Sequence, residues 1–203
     1  MDKSIGNTIK SDAMASSVGR FCVSRVIAAL TRRARLLFVR LRFPRAQFGT
    51  RCDVRRGLEL HIVTDARVQF GECCVIDRDM TVECTGILSV GAGTIFGHHC
   101  TLAARESVII GEDCLIAELV SIRDHDHCFD RLDMPTRDQG FTTAPVRIGR
   151  NVWLASKVCV TKGVTIGDNA IVGANAVVTR DIPANAIAVG VPARVVRMRG
   201  QPA

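Results

Sequence analysis

The densest chemistry in this chain sits in one run, Arg123, Asp124, His125, Asp126 and His127, which follows directly on Ile122 and leads into Cys128 and Phe129. Imidazole gives up and takes its proton near neutral pH, so a histidine here is suited to act as a general base on a hydroxyl or amine. Asp124 or Asp126 could orient such a ring through its second nitrogen, and so could a backbone carbonyl. A solitary loop histidine is usually only solvated, but a D-H-D-H cluster at the point where a regular pattern breaks reads as a site. The nine cysteines are the other reactive set, and none of them forms a C-x-x-C pair. They read as reduced, buried thiols in a cytosolic protein, neither a disulfide framework nor a zinc set.

The element that must hold those histidines shows as a ladder of apolar residues. It runs Phe70, Ile76, Val82, Val90, Phe96, Leu102, Ile110, Ile116 and Ile122, spaced six, six and eight, and resumes at strict intervals of six through Ile148, Leu154, Val160, Ile166, Val172 and Val178. A helix needs apolar returns near 3.6 and a half-buried strand near 2, whereas six allows a short strand, a turn and a new direction. Three such strands make a triangular coil, of 20 residues before the break and 18 after it, and stacked coils make a solenoid. The position four after each rung should also point inward, and it is mostly small or uncharged, as at Cys74, Met80, Thr94, Cys100, Cys114, Val120, Val152, Val158, Val164, Ala170 and Ala176. Aromatic content of 4%, with no Tyr and one Trp, suits a thin prism. The expected organisation is a basic segment over 1–47, a repeat domain over 48–190 interrupted by a loop at 123–145, and a basic tail over 191–203.

The first segment has a different composition. Between Asp12 and Asp53 there is no acidic residue, while Arg20, Arg25, Arg32, Arg33, Arg35, Arg40, Arg42, Arg45 and Arg51 all fall there. Those nine arginines exceed the net charge of +7, so the rest of the chain is near neutral and no nucleic-acid groove is expected along the prism. Val23, Ile27, Leu30, Ala34, Leu37 and Leu41 are spaced to share one face of a helix that Pro44 ends. That helix is expected to cap the prism or to pack on a partner, with contact between residues 18–45 and an anionic membrane as the alternative. Neither a signal peptide nor a membrane span is expected, and a cytoplasmic protein, peripheral at the inner membrane face under that alternative, is the location anticipated.

From Ala144 to Arg197 the chain carries P-V-R-I-G-R-N-V-W-L-A-S, then K-G-V-T-I-G-D-N-A-I-V-G-A-N-A-V-V-T-R-D-I-P, then V-G-V-P-A-R-V-V-R. This stretch resembles the hexapeptide-repeat acyltransferases. Within them it is similar to the galactoside and maltose O-acetyltransferases and to the sugar O-acetyltransferases of bacterial surface-polysaccharide pathways. The resemblance implies an all-β fold, a left-handed parallel β-helix, assembled as a homotrimer with active sites between neighbouring subunits. It also implies acetyl-CoA as donor, no metal, and a sugar or glycan acceptor. Counted from Ala117 to Ile122, the family's catalytic base falls on His127, with His125 as the alternative. Ser156 falls at the thioester-facing position and Trp153 close to the cofactor. Ala174 falls where a main-chain group meets the pantetheine arm, and Thr179, Arg180, Arg194 and Arg197 fall at the corner and phosphate-binding positions.

The acceptor side departs from the galactoside pattern, with His98, His99, Ala104 and Arg105 in the relevant coil. His99 is the one candidate there for contact with the acceptor. Two other readings stand beside the transferase. A γ-carbonic-anhydrase-like hydratase would hold zinc through three histidines of adjacent coils, but His99 and His127 lie 28 residues apart, which is not one round. A scaffold without catalysis would use its basic helix to dock on a membrane or partner and would not bind CoA.

Overall fold

Strands of two to four residues are all that a six-residue repeat leaves room for once its turn is taken, and such strands persist only when each pairs with the coils above and below. The computed structural model describes residues 29–200. Three parallel sheets form the faces of a prism. The first holds Ala46–Phe48, Arg67–Phe70, Ile87–Val90, Ser107–Ile110, Val146–Ile148 and Thr165–Ile166. The second runs from Asp53–Val54 through Val75–Ile76, Ile95–Phe96, Leu115–Ile116, Trp153–Leu154 and Ile171–Val172 to Ala186–Val189. The third holds Glu59–Ile62, Thr81–Cys84, Thr101–Ala104, Ser121–Arg123, Cys159–Val160 and Val177–Val178. The chain is therefore a parallel β-helix, as the period predicts. The segment Arg194–Met198 folds back antiparallel on Ala186–Val189 and closes the second sheet, so part of the basic tail is a strand.

Every rung of the ladder lies inside. The register stacks Phe70 on Val90 and on Ile110, Ile76 on Phe96 and Ile116, and Val82 on Leu102 and Ile122, all buried. The positions four residues on that are named above are equally buried, including Cys74, Cys100 and Cys114. Burying each large side chain contributes about 1.5–3 kcal/mol, and the column repeats that gain coil after coil. The inward polar groups are satisfied by the next coil. Cys74 Sγ donates to the Gly91 carbonyl at 3.3 Å, Thr94 Oγ1 to Gly111 at 2.9 Å and Cys114 Sγ to Gly149 at 3.1 Å. Burial pushes the Cys100 thiol up to about 11, which fits a structural thiol rather than a nucleophile.

The glycines that follow the rungs of the first sheet have a steric reason. A Cβ at Gly71 would stand 2.5 Å from the Ala92 nitrogen, and one at Gly91 would stand 2.5 Å from the Glu112 nitrogen. Coils approach too closely at this corner for a side chain.

The difference between 20- and 18-residue rounds is localised. In the longer rounds the third sheet reaches the first through four-residue strands, as Thr101–Ala104 and Ser107–Ile110 joined by Arg105 and Glu106. In the shorter rounds the strands shrink to Cys159–Val160 and Thr165–Ile166, and the rungs stand two residues closer along the chain. The 123–145 excursion leaves the prism at this same corner.

The helix corrects one expectation. It spans 29–42 of the described residues and stops ahead of Pro44, but its buried side chains are Leu36 and Val39, whereas Leu30, Leu37 and Leu41 are 58%, 58% and 73% exposed. Ala34 is exposed as well. Val23 and Ile27, expected on the same face, lie outside the described residues. The face that meets the prism is chosen by its anchors: Arg32 pairs with Asp53 at 3.8 Å, and Arg40 donates to the carbonyls of Phe48 and Gly49 at 2.7 and 3.1 Å. The helix therefore covers the first coil with one face and leaves its richer apolar stripe outward. Among the described residues no helix is long and apolar enough to cross a membrane.

Candidate active site

The excursion is a hairpin. His125–His127 pairs antiparallel with Phe141–Thr143, placing His127 opposite Phe141 and Asp126 opposite Thr142. Its base is closed by the Ala144 N–H on the Asp124 carbonyl, and its far end by the Cys128 N–H on the Gly140 carbonyl. A short 3-10 turn, Thr136–Asp138, and the Gln139 side chain bonded to Arg131 and Met134 shape the loop between the strands. Two imidazoles are thus carried on paired backbone rather than on a free loop.

The two histidines are held differently. Asp124 is fully buried, the inward successor of Ile122, as Cys84 and Ala104 are in the coils before. Its carboxylate accepts the backbone N–H groups of Arg105, Glu106 and Ser107 at 2.8, 2.7 and 2.7 Å, and its Oδ1 lies 3.0 Å from His125 Nδ1. His125 is 13% exposed, its ring edge-on to Phe141. His127 is exposed, its ring 4.3 Å from that of Phe141. Phe141 is also met by Arg105, whose guanidinium lies 3.4 Å from the ring centroid, a cation–π contact. Asp126 pairs with Lys162 at 3.3 Å, and Lys162 also bonds Thr142. Hence neither aspartate orients His127. Asp124 serves His125, and Asp126 is engaged by a lysine.

The remaining candidates follow the coils after the excursion. Trp153 projects outward from the second sheet between Leu115 and Ile171 and is 44% exposed. Ser156 lies at the next corner, where its hydroxyl bonds Glu118 and holds that carboxyl below its usual range. Ala174 is exposed in a turn whose Asn175 N–H donates to the Ser156 carbonyl at 2.9 Å, so these two residues are neighbours in adjacent coils. Thr179 and Arg180 are exposed just past Val177–Val178. Arg194 and Arg197 are exposed on the last strand, Arg197 in register with Ile187.

His99 stands apart. It occupies a left-handed corner with φ of 56°, its Nε2 3.9 Å from Asp79, between the second and third sheets. His127 leaves from the corner between the third and first sheets, so one chain does not bring the two together. Among the described residues no group of three or more His, Cys, Asp or Glu side chains is arranged to hold a metal.

Arg105 and Phe141 are the additions that geometry makes to the candidate set, and it assigns Asp124 to His125. The signal for Asp124 was present, because strand alternation carried past Ile122 points residue 124 inward. Nothing local points Phe141 at His127, since that contact needs the hairpin register.

A parallel β-helix with a histidine hairpin at its corner defines a class, and comparison with known proteins agrees. Residues 145–180 match the bacterial transferase hexapeptide (six repeats) family. The "putative lipopolysaccharide biosynthesis O-acetyl transferase WbbJ" of Escherichia coli K12 is 33% identical over 164 residues, 74% of this chain and 81% of that protein. The chain belongs to the bacterial hexapeptide-repeat transferase family. A probable acetyltransferase of Mycobacterium tuberculosis is 34% identical over 172 residues, 84% of this chain but 57% of that protein. The chain thus spans little more than half the length of that relative. A solved galactoside acetyltransferase in complex with coenzyme A superposes with a TM-score of 0.50 at 28% identity, over 70% of this chain and 64% of that one.

Proposed function

We propose that the chain is a CoA-dependent O-acetyltransferase that moves an acetyl group from acetyl-CoA to a sugar hydroxyl, on a precursor of a surface polysaccharide, in the cytoplasm. The observation that carries this is His127 itself. It is an exposed imidazole, seated on Phe141 at the one long excursion from the prism, in a chain whose relatives are named acetyltransferases. Its ring takes the hydroxyl proton as that oxygen attacks the thioester carbonyl. The tetrahedral intermediate then expels the CoA sulfur, which leaves with the proton from the imidazolium. Such general-base help is worth about 10² to 10⁴ in rate. Backbone N–H groups beside Ser156 are the donors suited to the developing oxyanion, and Thr179, Arg180, Arg194 and Arg197 suit the distant phosphates, where the guanidinium fork matches phosphate oxygens.

A homotrimer is supported by the outer surface of the second sheet. Val75, Ile95, Leu115, Trp153, Ile171 and Ile187 stack outward in register, whereas the outward residues of the first sheet include Gln69, Ser89 and Arg147. A continuous apolar stripe of this kind calls for a cover, and a second copy supplies one of matching shape. It would carry Trp153 to the subunit seam, where the cofactor arm is expected.

His125 is the second reading, favoured by its contact with Asp124, which fixes a ring as a base requires. Single-turnover acetyl transfer to a panel of nucleotide sugars and free sugars separates the two. His127→Ala is expected to lower the rate by about 10² to 10⁴ while acetyl-CoA still binds. Transfer at the wild-type rate would remove His127 from the role.

A further inference from the structure

The helix has two apolar faces, and the prism uses the weaker one. Leu36 and Val39 are buried against the first coil, leaving Leu30, Leu37, Phe38 and Leu41 from 58% to 73% exposed on the opposite side. At about 100° per residue these four fall within one outward stripe roughly 100° wide. Arg33 follows along one edge of the stripe, and Arg35 and Arg42 along the other, all exposed. Their positions let the aliphatic stems lie beside the apolar stripe while the guanidinium groups reach past it. No acidic residue occurs from 13 to 52, and the carboxylates that share a groove with these arginines are Asp53 beside Arg33 and Glu59 beside Arg42.

We propose that this outward face lies on an anionic lipid surface, with the leucines and Phe38 in the headgroup–acyl boundary and Arg33, Arg35 and Arg42 on lipid phosphates. Charge decides between the occupants. A second copy seated on this face would bring the same arginines to the same seam, and like charges there oppose pairing. An anionic bilayer supplies the complementary charge along both edges at once. The second sheet offers a separate apolar stripe for contacts between copies, so the helix is not needed for assembly. The proposal does not depend on the acetyl-transfer reading, because it concerns a surface at the opposite end of the chain from the CoA-type motifs.

Sedimentation of the full chain with phosphatidylcholine vesicles, with and without phosphatidylglycerol, tests it. The wild-type chain is expected to sediment with the anionic vesicles and to stay in solution with the neutral ones, releasing as salt is raised. Arg33→Gln with Arg35→Gln is expected to weaken binding by roughly tenfold or more, at about fivefold for each arginine. Leu37→Ser with Leu41→Ser is expected to weaken it at least about tenfold, with the mass in solution and the melting temperature unchanged. Wild-type chain left in the supernatant with both vesicles would overturn the proposal. So would equal binding to both compositions, or a fall in the mass of the assembly in the serine variant, which would assign the face to a contact between copies.

Discussion

Asp124 links the prism to the site. A carboxylate with 0% exposure is tolerable because three backbone donors and an imidazole surround it, and those donors belong to the corner that also aims Arg105 at Phe141. Asp124→Ala would leave the N–H groups of Arg105, Glu106 and Ser107 without their acceptor. Such losses cost about 1–3 kcal/mol for each buried group, so a fall in unfolding free energy on the order of 3 kcal/mol is expected from urea titration. An unchanged midpoint would contradict the structural role assigned to Asp124. The alternation through Ile122 made the inward direction of this residue legible, and the D-H-D-H run made the histidines legible. Which histidine meets which aspartate was not, because adjacent residues on a strand point to opposite faces and the pairing is set by the hairpin partner.

Among elements, the six-residue period was sufficient for the prism and insufficient for the helix. A coil has one interior, so an apolar rung has one place to go. A helix on a surface can turn either face inward, and here Arg32 on Asp53 and Arg40 on two carbonyls turned the face bearing Leu36 and Val39. Periodicity ranked the apolar stripes but carried no information on where those polar anchors would find partners. The corner glycines follow the rungs of the first sheet, and the 2.5 Å approach of the next coil explains why no side chain stands there. Gly91→Ala forces backbone apart in two coils, and an overpacking cost of about 1–3 kcal/mol is expected, read as a lowered melting temperature with the circular dichroism of the folded state retained. A melting temperature equal to wild type would mean that the coils yield more readily than their packing indicates.

At the scale of the molecule, the two halves of the prism differ in what they present. The 18-residue rounds after Ile148 carry the motifs shared with acyltransferases, and their corners bring Ser156 beside Ala174. The 20-residue rounds carry Arg105 and His99 at different corners, and their acceptor-side residues had no familiar pattern to be recognised by. A site shared between subunits, as proposed, would explain part of that. A single sequence shows the residues of each wall, but the walls face each other only across a seam that the outward stripe of Ile95, Leu115 and Trp153 would form. On the proposed reading that stripe would make the donor site dependent on a second copy, with Arg194 and Arg197 of the last strand proposed for the phosphates of the donor. Calorimetric titration of acetyl-CoA into the full chain tests the central claim most directly. The expected result is saturable binding with one site per chain, weakened by Arg194→Ala; the absence of any binding heat from the folded protein would contradict it.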